Sequence, residues 1–344
     1  MSGYYSEEIV QATTERKEYH DTLRAFVNGK KAWAEENRAK FISPKAYKAD
    51  TEGYRQKFVE MLGFPLTEKT EMPVCVRKEF VAQDKNVNIY RMQFLFSGVL
   101  KTYGLYFEQI NQTDETPFII GCHGGQGTPE MASSMHLDSS NYNHLVRRIT
   151  DRGANVFAPQ LLLWSLDIYG GEQYDRKGLD GLIRQLGGSM TAMELYWLRG
   201  CLDWFLKNEG INADKLGVAG LSYGGMYALH LAAVDPRIKA CYSCSYVNDL
   251  FSRYWVDWSY NNAQNTFTTA ETMALVAPRA LVVAMGDADN IFPVEETLAA
   301  SEKAAAYFQE FGKGENLKTC IFHGIHETDK SDEELDFLFD ALAR

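Results

Sequence analysis

Apolar residues recur at helical spacing through the first sixty positions, and then the period changes. Leu23, Phe26, Val27 and Trp33 form one stripe, and Tyr54, Phe58, Met61 and Leu62 a second, each with the spacing of a helix face. Ser43-Pro44 separates the two, and Gly63-Phe64-Pro65 closes the segment. Residues 1–65 are therefore expected to form a helical extension that packs on the main body or on another subunit. From about residue 72 the runs VCVRKEFVA, VNIYRMQFLF and YGLYFEQI read as strands joined by short turns, an antiparallel start to a sheet. Past Pro117 short apolar runs alternate with longer helical patterns. Strands are expected at 118–122, 154–159, 215–220, 238–243, 280–286 and 317–323. Helices are expected at about 139–151, 190–208, 224–234, 295–312 and 331–343.

Repeated strand-then-helix units specify the α/β class, a mostly parallel central sheet with helices on both faces. Residues 66–344 then make one catalytic-sized domain, with insertions near 160–188 and 246–272. In such a sheet, chemistry belongs on the loops at the C-terminal ends of the strands. A chain of 344 residues accommodates one α/β domain with an extension. The net charge of -11 disfavours nucleic acid and anionic membrane as partners, because both would repel it. No run approaches the ~20 apolar residues of a membrane span, and the first twenty positions lack the apolar core of a signal peptide. Cytoplasmic residence is the default expectation.

The cysteines add little. Cys75, Cys122, Cys241 and Cys320 fall in runs that read as buried strands and Cys201 on a helix, so all are expected to be small core hydrophobes. Cys241 and Cys244 have the CxxC spacing but no second pair or nearby histidines, which argues against zinc and against a redox motif. No dinucleotide fingerprint is present either. Neither a cofactor nor a metal is expected.

The chemistry centres on Gly220-Leu221-Ser222-Tyr223-Gly224-Gly225, which follows the strand KLGVA and opens the helix GGMYALHLAAV. This strand-turn-helix setting is what a G-x-S-x-G nucleophile elbow requires. Glycines flank the serine because the turn is tight and the backbone must pass close by. At a helix N-terminus, free amides and the helix dipole favour developing negative charge. The competing reading is a serine that merely caps the helix.

A serine hydroxyl needs a base. Three histidines follow Ser222: His230, His323 and His326. His230 lies two turns into the helix after the serine and reads as structural. His323 ends the last strand, whereas His326 lies in the loop beyond it, where it reaches the serine best. The acid is expected after the strand ALVVAMG. Asp289, in G-x-x-D, is preferred to Asp287, which reads as a brace for the loop. Two amides are expected to form an oxyanion hole: Tyr223, next to the serine, and Gly125 in the loop His123-Gly124-Gly125-Gln126-Gly127, with Gly124 as the alternative. His123 reads as bracing that loop. The insertions carry Trp164, Tyr169 and Tyr174 in one and Trp255, Trp258 and Tyr260 in the other. Trp164, Trp255 and Trp258 are candidate substrate-stacking residues, or else they pack the loops onto the body.

Across residues 72–344 these features resemble the α/β-hydrolase superfamily, and most closely its dienelactone hydrolase and acetyl xylan esterase-like group. The resemblance rests on the elbow, the His-Gly-Gly loop, Ala277-Pro278-Arg279 before the acid strand, Gly286 to Pro293 around the acid, and Leu186-Gly187-Gly188-Ser189-Met190 before the long helix. It implies hydrolysis of a small ester, including acetylated carbohydrates, by Ser222, Asp289 and His326. Dienelactone hydrolases proper carry a cysteine nucleophile where Ser222 stands here. Two other readings remain: a serine peptidase of the oligopeptidase type, and a non-catalytic binding protein on the same fold. The expected partner is a small-molecule ester, with association into a homo-oligomer left open.

Overall fold

A computed structural model of the chain describes residues 3–135, 140–163 and 174–344. The chain opens with four helices: α1 (Val10–Asn28), α2 (Lys31–Phe41), α3 (Pro44–Ala49) and α4 (Thr51–Leu62). Ser43 caps α3, with Pro44 in its first turn, and Asp50 caps α4 by accepting the Gly53 amide at 2.9 Å. The second apolar stripe is buried, Phe58 and Leu62 joining the main core. The first is not: α1 has no buried residue, and Leu23, Phe26 and Val27 stay exposed.

Three long strands follow, β1 (Val74–Asp84), β2 (Val87–Phe96) and β3 (Leu100–Gln109), paired antiparallel. Then come β4 (Phe118–Cys122), α5 (Pro129–Ala132), α6 (Leu145–Asp151), β5 (Asn155–Pro159), α7 (Arg176–Gln185), α8 (Met190–Asn208), β6 (Leu216–Leu221) and α9 (Tyr223–Val234). The chain ends with β7 (Ala240–Cys244), α10 (Thr269–Ala274), β8 (Ala280–Gly286), α11 (Val294–Glu310), β9 (Leu317–Phe322) and α12 (Glu333–Ala343). One nine-stranded sheet runs β1-β2-β3-β5-β4-β6-β7-β8-β9. Its strands are parallel from β5 through β9, and β3 joins them antiparallel to β5.

Alternation along the inner strands feeds two cores. Leu281, Val283 and Met285 of β8 face the core that includes α4, α8 and α9, while Val282 and Ala284 face the one under α6 and α12. Helix α9 is buried along its whole length, which its run of small and apolar residues permits.

Three expectations are corrected. Cys75 and Cys320 are only partly buried, because β1 and β9 are the two edges of the sheet. The helix expected at 139–151 begins only at Leu145, since His144 takes a left-handed conformation that interrupts it. The first insertion, expected as a loop, contains a helix, α7, with Leu179, Leu182 and Ile183 at helical spacing and a cap from Asp175 on the Gly178 amide at 2.8 Å. No helix among the described residues is long and apolar enough to cross a membrane.

Candidate active site

Strand β6 ends at Leu221 and α9 starts at Tyr223, so Ser222 alone makes the turn. It does so at φ 59° and ψ -120°, a left-handed backbone that a non-glycine residue adopts at a cost of about 1–3 kcal/mol. The turn is held from both sides: the Ser222 amide donates to Cys244 O at 2.8 Å, and Ser222 O accepts from the Met226 amide at 2.9 Å. The glycines are steric necessities. A Cβ at Gly224 would sit inside the backbone of Cys122, and one at Gly225 would lie 2.5 Å from Cys244 O. The Ser222 side chain makes no capping bond to α9, so its hydroxyl is not spent on the helix.

The loop after β8 carries both aspartates, and each meets its own histidine. Asp289 Oδ2 accepts from His326 Nδ1 at 2.8 Å, and Asp289 Oδ1 accepts the amides of Ile291 at 2.8 Å and Phe292 at 3.0 Å. The Asp289 side chain is fully buried, and that of His326 is 11% exposed. Burial pushes the Asp289 carboxyl up, but the bonds from His326 and the two amides outweigh it and hold the carboxyl below its ordinary value. Asp287 pairs instead with His323 at 3.1 Å, and the His323 ring is 98% exposed.

Cys244 joins Ser222 to the His326 loop. Its carbonyl holds the Ser222 amide, and its thiol donates to Glu327 O at 3.2 Å, one residue beyond His326. Burial pushes that thiol up to about 12, so at neutral pH it acts as a donor and not as a thiolate. A second tie runs through Asn141, whose side-chain amide donates to His326 O at 3.1 Å and whose carbonyl accepts the Thr328 amide at 2.8 Å. The neighbouring Tyr142 hydroxyl accepts the Gly124 amide at 2.9 Å. Residues 141–142 thus pin the His326 loop and the glycine loop to one another.

The glycine loop lies against the serine. An added Cβ at Gly124 would stand 2.9 Å from Leu221 O and 3.2 Å from Ser222 Cβ. With the Gly124 amide taken by Tyr142, the Gly125 amide has no partner among the described residues. His123 braces the loop: its Nε2 accepts the Leu161 amide at 2.9 Å, which leaves the proton on Nδ1 to reach Gly124 O at 2.8 Å. Burial drives this histidine down to about 4 and keeps it neutral. His230 is likewise buried, lowered to about 4, and bonded to Met226 O of its own helix.

The tryptophans divide. Trp164 lies outside the described residues. Trp255 is 41% exposed and stacks on the Tyr223 ring at 6.0 Å, whereas Trp258 is 2% exposed beneath it. Only Trp255 of these two has a face to offer a ligand. It borders a cavity of about 590 Å³ that Tyr174, Tyr223 and Tyr254 also line. A second cavity, about 480 Å³, opens beside Gln126 and Gly127 and shares Tyr174. Both are of the size that small-molecule sites occupy.

Comparison with known proteins bears on this arrangement. The Bacteroides fragilis structure described as an acetyl xylan esterase matches with a TM-score of 0.66, covering 86% of this chain and 80% of its own at 18% identity. A glucuronoyl esterase from Solibacter usitatus matches with a TM-score of 0.64, covering 88% and 94% at 15% identity. The chain has the α/β-hydrolase fold. The family model for X-Pro dipeptidyl-peptidases of the S15 family matches residues 194–315, which include Ser222 and Asp289 but stop short of His326. The Bacillus subtilis protein YtaP, described as a hydrolase, is 29% identical over 205 residues, 55% of this chain. The 2,6-dihydropseudooxynicotine hydrolase of Paenarthrobacter nicotinovorans is 46% identical over 54 residues, 16% of this chain. These two alignments span 66% and 14% of the relatives' own lengths, less than two thirds in both cases.

Sequence reasoning missed the groups that tie the site together. Tyr142, Asn141 and Cys244 act through hydrogen bonds across the fold, and no local motif announces them. The same holds for Asp257 and Arg176, which meet at 2.8 Å from positions 81 residues apart.

Proposed function

We propose that this α/β-hydrolase cleaves a carboxylic ester of a short acyl group through an acyl-enzyme on Ser222. The observation that carries the reading is the strained Ser222 elbow, set across Cys244 from a buried Asp289–His326 pair. Asp289 fixes the proton on His326 Nδ1 and leaves Nε2 free to act as base. His326 takes the Ser222 proton as Oγ attacks the ester carbonyl. The charge that develops on the carbonyl oxygen is met by the amides of Tyr223 and Gly125. Collapse expels the alcohol, which receives the proton from His326. Water then repeats the sequence, attacking the acyl-enzyme with His326 as its base.

Size preference follows from sterics. The glycine loop lies against the serine, where a Cβ added at Gly124 would stand 3.2 Å from Ser222 Cβ, and this reading gives that side to a short acyl group. The roomier space lies beyond Tyr223, where Trp255 and Tyr254 present aromatic faces suited to a sugar alcohol. Acetylated carbohydrates are therefore the substrate class of this reading, in keeping with the esterases whose fold it shares. Each misfitting methylene costs about 1–3 kcal/mol in the transition state, so kcat/KM is expected to fall from acetyl to butyryl to octanoyl p-nitrophenyl esters. Equal or rising values along that series contradict the short-acyl claim.

The S15 match supports a second reading, a peptidase, because it spans both the nucleophile and the acid. Dipeptidyl p-nitroanilides beside acetylated sugars separate the two. Turnover of the anilides with none of the esters would transfer the assignment.

A further inference from the structure

Residue 223 supplies one of the two amides on which the proposed reaction rests, and its side chain is anchored far outside the elbow. The Tyr223 hydroxyl reaches both carboxylate oxygens of Asp257, at 2.9 and 3.2 Å. Arg176 Nε donates to Asp257 Oδ2 at 2.8 Å. The same guanidinium donates to the Tyr227 hydroxyl at 2.8 Å and to Leu162 O at 2.6 Å. Glu194 completes the group, 3.6 Å from Arg176 and accepting the Leu162 amide at 2.8 Å. Arg176, Asp257 and Glu194 are all buried.

This network has an odd distribution. Tyr223 and Tyr227 are one turn apart on α9 and share a face, so both phenols report to the same cation. Arg176 comes from the first insertion and Asp257 from the second; neither belongs to the sheet. A buried ion pair is a weak source of stability, since apolar residues of similar volume do as well or better. It is, however, directional. The Tyr223 ring has the Arg176 guanidinium 5.6 Å from its centre and Trp255 stacked at 6.0 Å, 12° from parallel.

We propose that Asp257, oriented by Arg176, is a positioning residue for the oxyanion hole: by holding the Tyr223 hydroxyl it fixes the direction of the Tyr223 amide. The proposal rests on the reading of Ser222 as nucleophile. Its consequence concerns specificity. Trp255 lies two residues before Asp257 and borders the cavity assigned to the alcohol. An alcohol that packs on Trp255 therefore presses on the same group that aims the amide. Binding energy from the alcohol then appears in kcat as well as in KM.

The test is kinetic. Tyr223→Phe removes the hydroxyl and keeps the ring and the amide. Its kcat on an acetyl ester is expected to fall about tenfold with KM within about twofold, the signature of a transition-state donor that has lost its aim. Asp257→Asn, which keeps one acceptor oxygen but weakens the Arg176 pair, is expected to lower kcat by no more than Tyr223→Phe does. The double variant is expected to be no slower than Tyr223→Phe alone, because the two side chains act through one contact. If Asp257→Asn does not fold, Tyr223→Phe decides alone. A kcat within about twofold of wild type in Tyr223→Phe, even with a lowered Tm, overturns the proposal and leaves the network structural. Ser222→Ala runs in the same assay. Its inactivity beside an unaffected Tyr223→Phe rejects only this inference, whereas its survival rejects the underlying reading as well.

Discussion

Asp289 and Asp287 stand two positions apart on one loop and meet different fates. Asp289 turns inward onto His326, and Asp287 turns outward onto an exposed His323. Asp289→Asn is expected to lower kcat about 10³–10⁴-fold by stabilising the wrong histidine tautomer, while Asp287→Asn stays within about threefold of wild type. Steady-state assays of both variants check this, and the reverse pattern transfers the role to Asp287. The spacing Gly-x-x-Asp and the loop position of His326 made the Asp289–His326 pairing legible in the sequence. The Cys244 and Asn141 ties were not, because each depends on where distant backbone passes. A separate residue-scale expectation concerns Glu334, at the start of α12. Burial, and then its contact with Asp329, push its carboxyl from an ordinary 4.5 up to about 7. Between those values the folded protein keeps a proton that the unfolded chain releases, so stability falls as pH rises through that window and is lowest above it. Glu334→Gln is expected to flatten this slope. Urea midpoints at about pH 5 and about pH 8 measure it, and an unchanged difference between the two pH values refutes the assignment.

At the scale of elements, the β6–Ser222–α9 junction was legible because its glycines are dictated by contact rather than by preference. Gly224 abuts the Cys122 backbone, whereas Gly181 of α7 has nothing within 4 Å of an added Cβ. Gly224→Ala is expected to cost about 3 kcal/mol or more. Gly181→Ala is expected to stabilise by about 0.5–1 kcal/mol, as alanine does in an open helix. Chemical denaturation of the pair checks both signs together. The strands from β4 to β8 were legible too, since burial on both faces makes short continuous apolar runs. Helix α7 was overlooked: its Leu179, Leu182 and Ile183 stand at helical spacing, but it is short, its two glycines argue for a loop, and its Arg176 and Asp180 are buried by pairing instead of by hydrophobicity.

At the scale of the whole molecule, the sheet and the four N-terminal helices contribute unequally. Helices α3 and α4 put Tyr47 and Phe58 into the main core, but α1 touches the body through contacts such as Arg24 to the Tyr254 hydroxyl at 2.6 Å. Removing residues 1–28 is therefore expected to shift Tm by no more than about 2 °C, as thermal unfolding reads it, since none of the described residues in that span is buried. A large drop would mean that α1 is packed in solution against something beyond this chain. The apolar stripe on α1 was visible in the sequence, but a stripe alone does not say whether the chain itself covers it. The central claim is that one serine, Ser222, is the nucleophile. The direct measurement is the intact mass of the protein after treatment with a fluorophosphonate, followed by peptide mapping. The account predicts one adduct per chain, located on Ser222 and missing from Ser222→Ala. An adduct of the same stoichiometry on Ser222→Ala, or one mapped to another residue, would contradict it.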